Sequence, residues 1–237
     1  FFCAILAAEA GKLVFRETKV DILVTPTVTI LTGLLFAKLV GPGVSAVMSG
    51  FGLLVMRATE LQPFWMGIAV SAIVGVVLTL PISSAALCAT LGLVGLAGGA
   101  ATAGCCAQMI GFAVMSFREN RWGGVVAQGL GTSMLQMGNI TRNPRIWIPP
   151  TLASMITGPI STCVFKLENG VAVASGMGTC GLVGPIGVMT WEGFGTWQSW
   201  VGLALICFVL PALLTPLIAW PLRRLGWIRE NDLKLDL

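Results

Sequence analysis

At residues 128–140 the chain reads Gln-Gly-Leu-Gly-Thr-Ser-Met-Leu-Gln-Met-Gly-Asn-Ile. This segment carries no charge, but it is rich in glycine and in amide and hydroxyl side chains, and basic residues lie on both sides of it. A solvated loop would carry charge, and a helix that faces lipid would not carry two glutamines, an asparagine and two hydroxyl groups. We therefore expect the segment to line a protein-enclosed cavity at or near membrane depth.

The composition is that of an integral membrane protein. Hydrophobic residues make up 56% of the chain and charged residues 10%, whereas about 25% of residues are charged in soluble domains. A helix needs roughly 20 residues to cross the hydrocarbon core, and a transmembrane barrel would instead show alternating segments of about 10 residues. The fold class expected is an all-α, polytopic transmembrane helical bundle. Runs without Asp, Glu, Lys or Arg occupy residues 22–37, 39–56, 61–117, 146–165, 169–191 and 193–222.

The order of these runs predicts about five crossings and two broken or re-entrant segments. After a mixed-charge loop at residues 9–21, the first crossing is expected to end at residues 41–43, which read Gly-Pro-Gly. Residues 44–56 and the Gly-rich residues 170–189 are then broken helices, because irregular backbone survives at membrane depth only where protein or water satisfies it. Residues 84–117 form either one long crossing or a hairpin.

Residues 18–82 and residues 141–222 follow the same order of a crossing, a Gly-rich broken segment and a second crossing. Internal repeats of this kind are typical of transporters, which bind substrate where the broken helices meet. Residues 1–237 are therefore interpreted as a single transmembrane permease-like domain. The chain begins with an apolar run and without Met, so we expect its native N-terminal part to be missing.

Basic residues mark the expected cytoplasmic side. Lys and Arg accumulate in cytoplasmic loops, so we expect the C-terminus in the cytoplasm. The same bias explains the net charge of +4, which therefore does not indicate nucleic acid, and we expect no nucleic-acid partner. The seven cysteines lack metal-ligand spacing and the chain has no His, so we expect no metal site, no cofactor and no self-contained catalytic site. The basic residues that flank the spans are Arg118, Arg121, Arg142, Arg145, Arg223 and Arg224.

The polar segment also supplies the main candidates for solute binding. Residues 128, 132, 136 and 139 recur at the spacing of one helix face. Such neutral groups suit the hydroxyls of a sugar or polyol; alternatively, the face satisfies backbone and neighbouring side chains at a cytoplasmic helix end. The candidates in this segment are Gln128, Thr132, Ser133, Gln136 and Asn139.

Four further residues join the candidate set. Gly178 and Thr179 lie in a Gly-rich segment that can present backbone amides to a polar group as half-helix termini do, although tight packing explains the glycines equally well. Glu60 is an acidic residue beside an apolar span, and such residues are functional by default; an ion pair with Arg57 is the alternative. Gln108 lies within the charge-free run 61–117.

Several long motifs resemble a known family. Residues 9–26, 62–85, 104–120, 128–150 and 176–184 are similar to the perfringolysin-O-regulator-like membrane proteins, which are grouped with the sugar-permease (IIC) subunits of the bacterial phosphotransferase system. The resemblance implies a multi-pass protein of the bacterial inner membrane that moves a small polar solute, such as a sugar phosphorylated during uptake by a separate cytoplasmic phosphocarrier. It further implies a homodimer, and enzymatic activity only as the membrane subunit of such a system.

Three functions therefore stay open at the level of sequence. The first is a permease that passes a polar solute by alternating access, with the solute held between residues 128–139 and 176–184. The second is a membrane-embedded sensor or regulator that binds a solute without transporting it. The third is a structural dimer whose Gly-rich helices serve assembly.

Overall fold

The protein is built from helices throughout the part that the structure describes. The computed structural model describes residues 2–15, 21–193 and 197–235, and the regular elements within them are helical, which confirms the expected all-α class. Contacts divide the chain into two compact units, residues 1–50 and residues 51–237. Four helices in the described part are long and apolar enough to cross a membrane: Leu23–Leu61, Gly95–Met115, Pro144–Phe165 and Ser199–Arg224.

The first unit contains α1 (Phe2–Val14) and most of α2 (Asp21–Leu61). Two predictions are wrong here. Glu9 and Lys12, expected in a loop, lie in α1 and form an ion pair of 2.7 Å; residues 16–20 of that loop lie outside the described residues. α2 continues through residues 41–43, so residues 44–56 are not broken. Proline removes one helical hydrogen bond, whereas ending the helix would leave four carbonyls unsatisfied in hydrocarbon.

The second unit is organised around α5 (Gly95–Met115), which is almost entirely buried. α3 (Pro63–Thr79) and α8 (Ile148–Pro159) pack against it. A Cβ atom on Gly104 of α5 would overlap the carbonyl of Ser71 in α3. Small residues let helix backbones approach this closely in membranes, and α5 is rich in Ala and Gly.

Residues 84–117 form a short helix followed by one crossing. α4 (Ser84–Leu91) begins after a turn, where the Ser83 hydroxyl accepts the Ala86 N–H at 3.2 Å. It ends at Gly92, whose φ of +65° is the left-handed conformation that glycine tolerates best. α5 follows at once. Gly104 of α5 lies against Ser71 of α3, and Gln108, one turn further along α5, lies beside Thr79 at the end of α3. α3 and α5 therefore run in the same direction, and the segment with α4 returns the chain between them.

The two ends of α5 define the two ends of this unit. At its start, Gly95 and Asn169 exchange backbone hydrogen bonds of 2.8 and 3.1 Å. At its last residue, the Met115 carbonyl accepts a hydrogen bond of 2.8 Å from Arg223 Nη2. We name the first the glutamate end, which carries Glu60 and Glu168, and the second the arginine end, which carries Arg118, Arg223 and Arg224.

A re-entrant hairpin enters from the glutamate end and returns to it. This glutamate-end hairpin, residues 170–192, contains α9 (Ala172–Ser175), a 3₁₀ turn (Cys180–Leu182) and α10 (Val183–Glu192). Near its close, Trp191 Nε1 donates to Glu168 Oε2 at 3.0 Å. Its tip reaches the middle of α5, because a Cβ atom on Gly178 would lie 2.7 Å from Cys105. The broken segment predicted at residues 170–189 is confirmed.

A second broken segment enters from the arginine end. This arginine-end hairpin, residues 117–142, contains α6 (Phe117–Val126), a π-helical turn (Ala127–Gly131), a 3₁₀ turn (Ser133–Gln136) and α7 (Met137–Arg142). The continuous helix face expected over residues 128–139 is wrong, since Thr132 is extended with φ −158° and ψ 143°. Its hydroxyl accepts the Met134 N–H at 3.2 Å, a local bond that competes with the helix.

The remaining helices complete the bundle and lead into a C-terminal tail. A 3₁₀ turn (Pro144–Trp147) precedes α8, and a π-helical turn (Ile160–Phe165) follows it. α11 (Trp197–Ala204), a π-helical turn (Leu205–Val209) and α12 (Leu210–Arg224) form the last crossing. Residues 225–235 form the tail. The single domain over residues 1–237 and the internal repeats stay predictions.

Candidate functional site

The tips of the two hairpins meet beside the middle of α5. The hydroxyl group of Thr179, in the glutamate-end hairpin, donates a hydrogen bond of 2.6 Å to the Gly129 carbonyl of the arginine-end hairpin. The same hydroxyl lies 3.5 Å from Met109 Sδ of α5. Thr179 is fully buried. Two irregular segments that enter from opposite ends thus place polar backbone together inside the bundle, as the discontinuous helices of transporters do.

A chain of buried polar side chains continues from these tips into the core. Ser133 Oγ, in the arginine-end hairpin, lies 2.9 Å from Thr79 Oγ1 at the end of α3. Thr79 Oγ1 lies 3.5 Å from Gln108 Oε1 of α5, and Gln108 Nε2 donates to Thr151 Oγ1 of α8 at 3.1 Å. Gln108, Ser133 and Thr179, chosen from sequence alone, therefore lie along one buried seam of α3, α5, α8 and both hairpins.

Glu60 lies apart from this seam, in a cavity of about 490 Å³ at the glutamate end. Within the described residues no ion pair joins Glu60 to Arg57, which was the alternative role considered for it. Pro63, Gly95 and Thr162 contribute to the walls. The cavity is also lined by the charged residues Lys166 and Glu168 and by the aromatic residue Trp191.

Sequence reasoning missed Lys166, Glu168 and Trp191. They lie at the two borders of the glutamate-end hairpin, and Trp191 Nε1 donates to Glu168 Oε2 at 3.0 Å. Lys166 adopts a left-handed backbone conformation with φ +50°, which is uncommon for a residue other than glycine and occurs often at functional sites. The available signal was that charged residues bracket a Gly-rich, charge-free run.

The amide groups of Gln128, Gln136 and Asn139 are brought together but contact the C-terminal tail. Gln136 Nε2 donates to Gln128 Oε1 at 3.0 Å and to the Leu233 carbonyl at 3.1 Å. Asn139 Nδ2 donates to Gln136 Oε1 at 2.8 Å and to the Lys234 carbonyl at 2.9 Å. Thr132, in contrast, is only half-buried, and its hydroxyl accepts a local hydrogen bond from the Met134 N–H. This geometry favours satisfaction of backbone and neighbouring groups, and a solute contact for these side chains stays a prediction.

Further hydrogen bonds hold the tail against the arginine-end hairpin and against Asn143, the residue that follows it. Asn120 Nδ2 donates to the Leu233 carbonyl at 2.7 Å, while Asn120 Oδ1 accepts the Leu235 N–H at 2.8 Å. Asn143 Nδ2 donates to Asp232 Oδ2 at 2.7 Å. The Leu233 side chain is fully buried. The uncharged residues of this region therefore form a binding surface for the tail.

Comparison with known proteins bears on the permease part of the resemblance. A family model described as "Phosphotransferase system, EIIC" matches residues 1–235. The family model does not support the resemblance to perfringolysin-O-regulator-like proteins. No curated protein and no solved structure matches the chain. Since the match extends over nearly the whole sequence and the helices are those of a membrane protein, the chain belongs to the EIIC family of the phosphotransferase system.

Proposed function

We propose that this protein is a permease subunit that passes a sugar across the bacterial inner membrane by alternating access, with phosphorylation by a separate cytoplasmic phosphocarrier. The observation that carries the proposal is the contact between Thr179 and the Gly129 carbonyl, where hairpins from opposite ends of the bundle meet. A hairpin that enters from one end can open toward that end while the other hairpin stays closed. This is the arrangement that alternating access requires.

The contacts at the tips are weak enough to open. The Thr179 hydroxyl joins the two hairpins, and the Ser133 hydroxyl joins one of them to α3. Each such hydrogen bond contributes about 0.5–1.5 kcal/mol net, so separation of the tips costs little compared with unfolding of the bundle. The seam of Gln108, Ser133 and Thr179, with Gly178 beside it, then provides donors and acceptors for sugar hydroxyls.

The cavity at the glutamate end has the chemistry of a sugar-binding vestibule. Glu60 and Glu168 supply carboxylate oxygens that accept hydroxyl hydrogens, and Lys166 supplies a donor. Trp191 supplies an aromatic face, and the volume of about 490 Å³ lies in the range of small-molecule sites. We place first contact with the solute here and its passage at the hairpin tips.

The distribution of charge supports an orientation for this route. Arginines gather at the end opposite Glu60, and Lys and Arg favour the cytoplasmic side. The arginine end and the C-terminal tail would then lie in the cytoplasm, where a phosphocarrier can reach the solute. The chain has no His, which rules out a phosphohistidine relay within these residues and is compatible with a phosphoryl group supplied by that separate subunit. We further propose a homodimer, on the basis of the family resemblance alone.

Uptake of radiolabelled hexoses and hexitols into proteoliposomes tests the proposal. The vesicles contain the purified protein, with phosphoenolpyruvate and phosphocarrier proteins inside. We expect flux of at least one sugar. Thr179→Val should change that flux by about five-fold through loss of one hydrogen bond of about 1 kcal/mol, and Glu60→Gln should raise the sugar concentration needed for half-maximal flux.

The matched control is Thr157→Val. Thr157 is buried like Thr179, but its hydroxyl donates to Ser154 O within its own helix at 3.2 Å, so its replacement should leave flux unchanged. Sugar binding without flux would favour the sensor. Neither binding nor flux for any sugar, from protein whose unfolding is cooperative, would refute the proposal.

A further inference from the structure

A groove at the arginine end lies outside the proposed solute route. It has a volume of about 570 Å³ and is formed where the end of α5 and the start of α6 face α12. Its walls are apolar, with Val114 and Phe117 on one side and Pro216 and Ala219 on the other. Its rim carries the guanidinium groups of Arg118, Arg223 and Arg224.

The positive charge of this rim is only partly neutralised. Arg223 Nη2 donates to the Met115 carbonyl at 2.8 Å and lies 3.4 Å from Glu119 Oε1. The Arg224 guanidinium stacks over the Trp220 ring at 3.9 Å from its centroid. Within the described residues, Arg118 and Arg224 form no ion pair. One glutamate therefore opposes three arginines, and two guanidinium groups are available to an anion.

The position of the groove relates it to the bilayer surface. α5 and α12 belong to helices that are long enough to cross the membrane, and the groove lies where both approach their C-terminal ends. Leu213 and Leu217 of α12 expose 64% and 67% of their surface, as side chains in contact with lipid would. Trp220, one turn closer to the arginines, is of the type enriched at membrane interfaces.

We propose that this groove binds an anionic phospholipid, with the headgroup phosphate held by Arg118 and Arg224 and an acyl chain lying along the apolar wall. Arginine suits this role because its planar guanidinium forms paired hydrogen bonds with phosphate oxygens. A soluble anion would use the rim alone, whereas a phospholipid uses both the rim and the apolar wall. The combination therefore favours the lipid over free phosphate.

The test measures lipid binding to the purified full chain in detergent by native mass spectrometry and by the shift in thermal unfolding. Phosphatidylglycerol should bind and stabilise the protein more than phosphatidylcholine of the same chain length. Combined replacement by Arg118→Gln and Arg224→Gln should weaken phosphatidylglycerol binding about thirty-fold, from the attraction per basic residue near an anionic surface. Arg142→Gln, which removes an exposed arginine of the same end outside the groove, should leave binding unchanged.

Three outcomes would overturn the proposal. They are equal binding of the two lipids, an Arg142→Gln variant that loses as much affinity as the double variant, and inorganic phosphate that protects the protein as well as phosphatidylglycerol does. The last would assign the rim to a soluble anion. The unfolding midpoint without lipid shows whether the double variant is folded, and the single Arg118→Gln variant repeats the test if it is not.

Discussion

Replacement of Gln136 by alanine separates a structural role of the amide groups from a role in solute binding. Gln136 is fully buried between α7 and the tail. Its Nε2 group donates to Gln128 Oε1 and to the Leu233 carbonyl, and its Oε1 atom accepts from Asn139. The side chain therefore connects two neighbouring amides and the tail in one network.

The partners that lose Gln136 are not equally affected. The Leu233 carbonyl keeps a hydrogen bond from Asn120, and Asn139 keeps its bond to the Lys234 carbonyl. Gln128 Oε1 loses the hydrogen bond that Gln136 Nε2 donates, and an unsatisfied buried acceptor costs about 1–3 kcal/mol. With the small cavity left by the side chain, we expect Gln136→Ala to lower the free energy of unfolding by about 2–4 kcal/mol.

The assay is unfolding of the purified protein in detergent, combined with sugar flux in proteoliposomes. Gln62→Ala is the matched control, because Gln62 is exposed and within the described residues forms no side-chain hydrogen bond; its effect should stay within about 0.5 kcal/mol. A variant that ends at Asp232 removes the tail carbonyls, and in that background Gln136→Ala should cost less. Wild-type stability of Gln136→Ala with abolished flux would refute this reasoning and restore the solute role.

Two further predictions concern packing and orientation. Gly104→Ala places a Cβ atom against the Ser71 carbonyl and should destabilise the protein by about 1–3 kcal/mol. Gly138 has open space around it, so Gly138→Ala should be neutral or slightly stabilising. Equal effects of the two variants on the unfolding midpoint would contradict the close contact of α3 and α5. In whole cells that carry a variant with its native cysteines replaced by alanine, a membrane-impermeant maleimide should label Gln62→Cys but not Asn231→Cys, both at exposed positions. The opposite pattern would reverse the proposed orientation.

The tertiary structure decided the roles of residues whose partners lie far away in the chain. Gln136 and Leu233 are 97 positions apart, so no local periodicity relates them. The same holds for Thr179 and Gly129, and for the cavity that joins Glu60 to Glu168. Sequence spacing suggested a helix face for the amides, but the extended Thr132 and the tail gave them their arrangement.

By itself, the sequence determined that this is a helical membrane protein with a broken segment near residues 170–189. Charge-free runs of sufficient length have few alternatives to helices in hydrocarbon, and clustered glycines with proline interrupt them. That rule failed at residues 41–43, where a similar cluster of glycine and proline lies inside a continuous helix. Whether backbone can leave a helix at membrane depth depends on partners for its freed polar groups. In the glutamate-end hairpin, Ser84 Oγ donates to the Gly176 carbonyl at 2.6 Å and Asn169 Oδ1 accepts the Val171 N–H at 3.0 Å. Only the packed structure could reveal that Ser84 is such a partner.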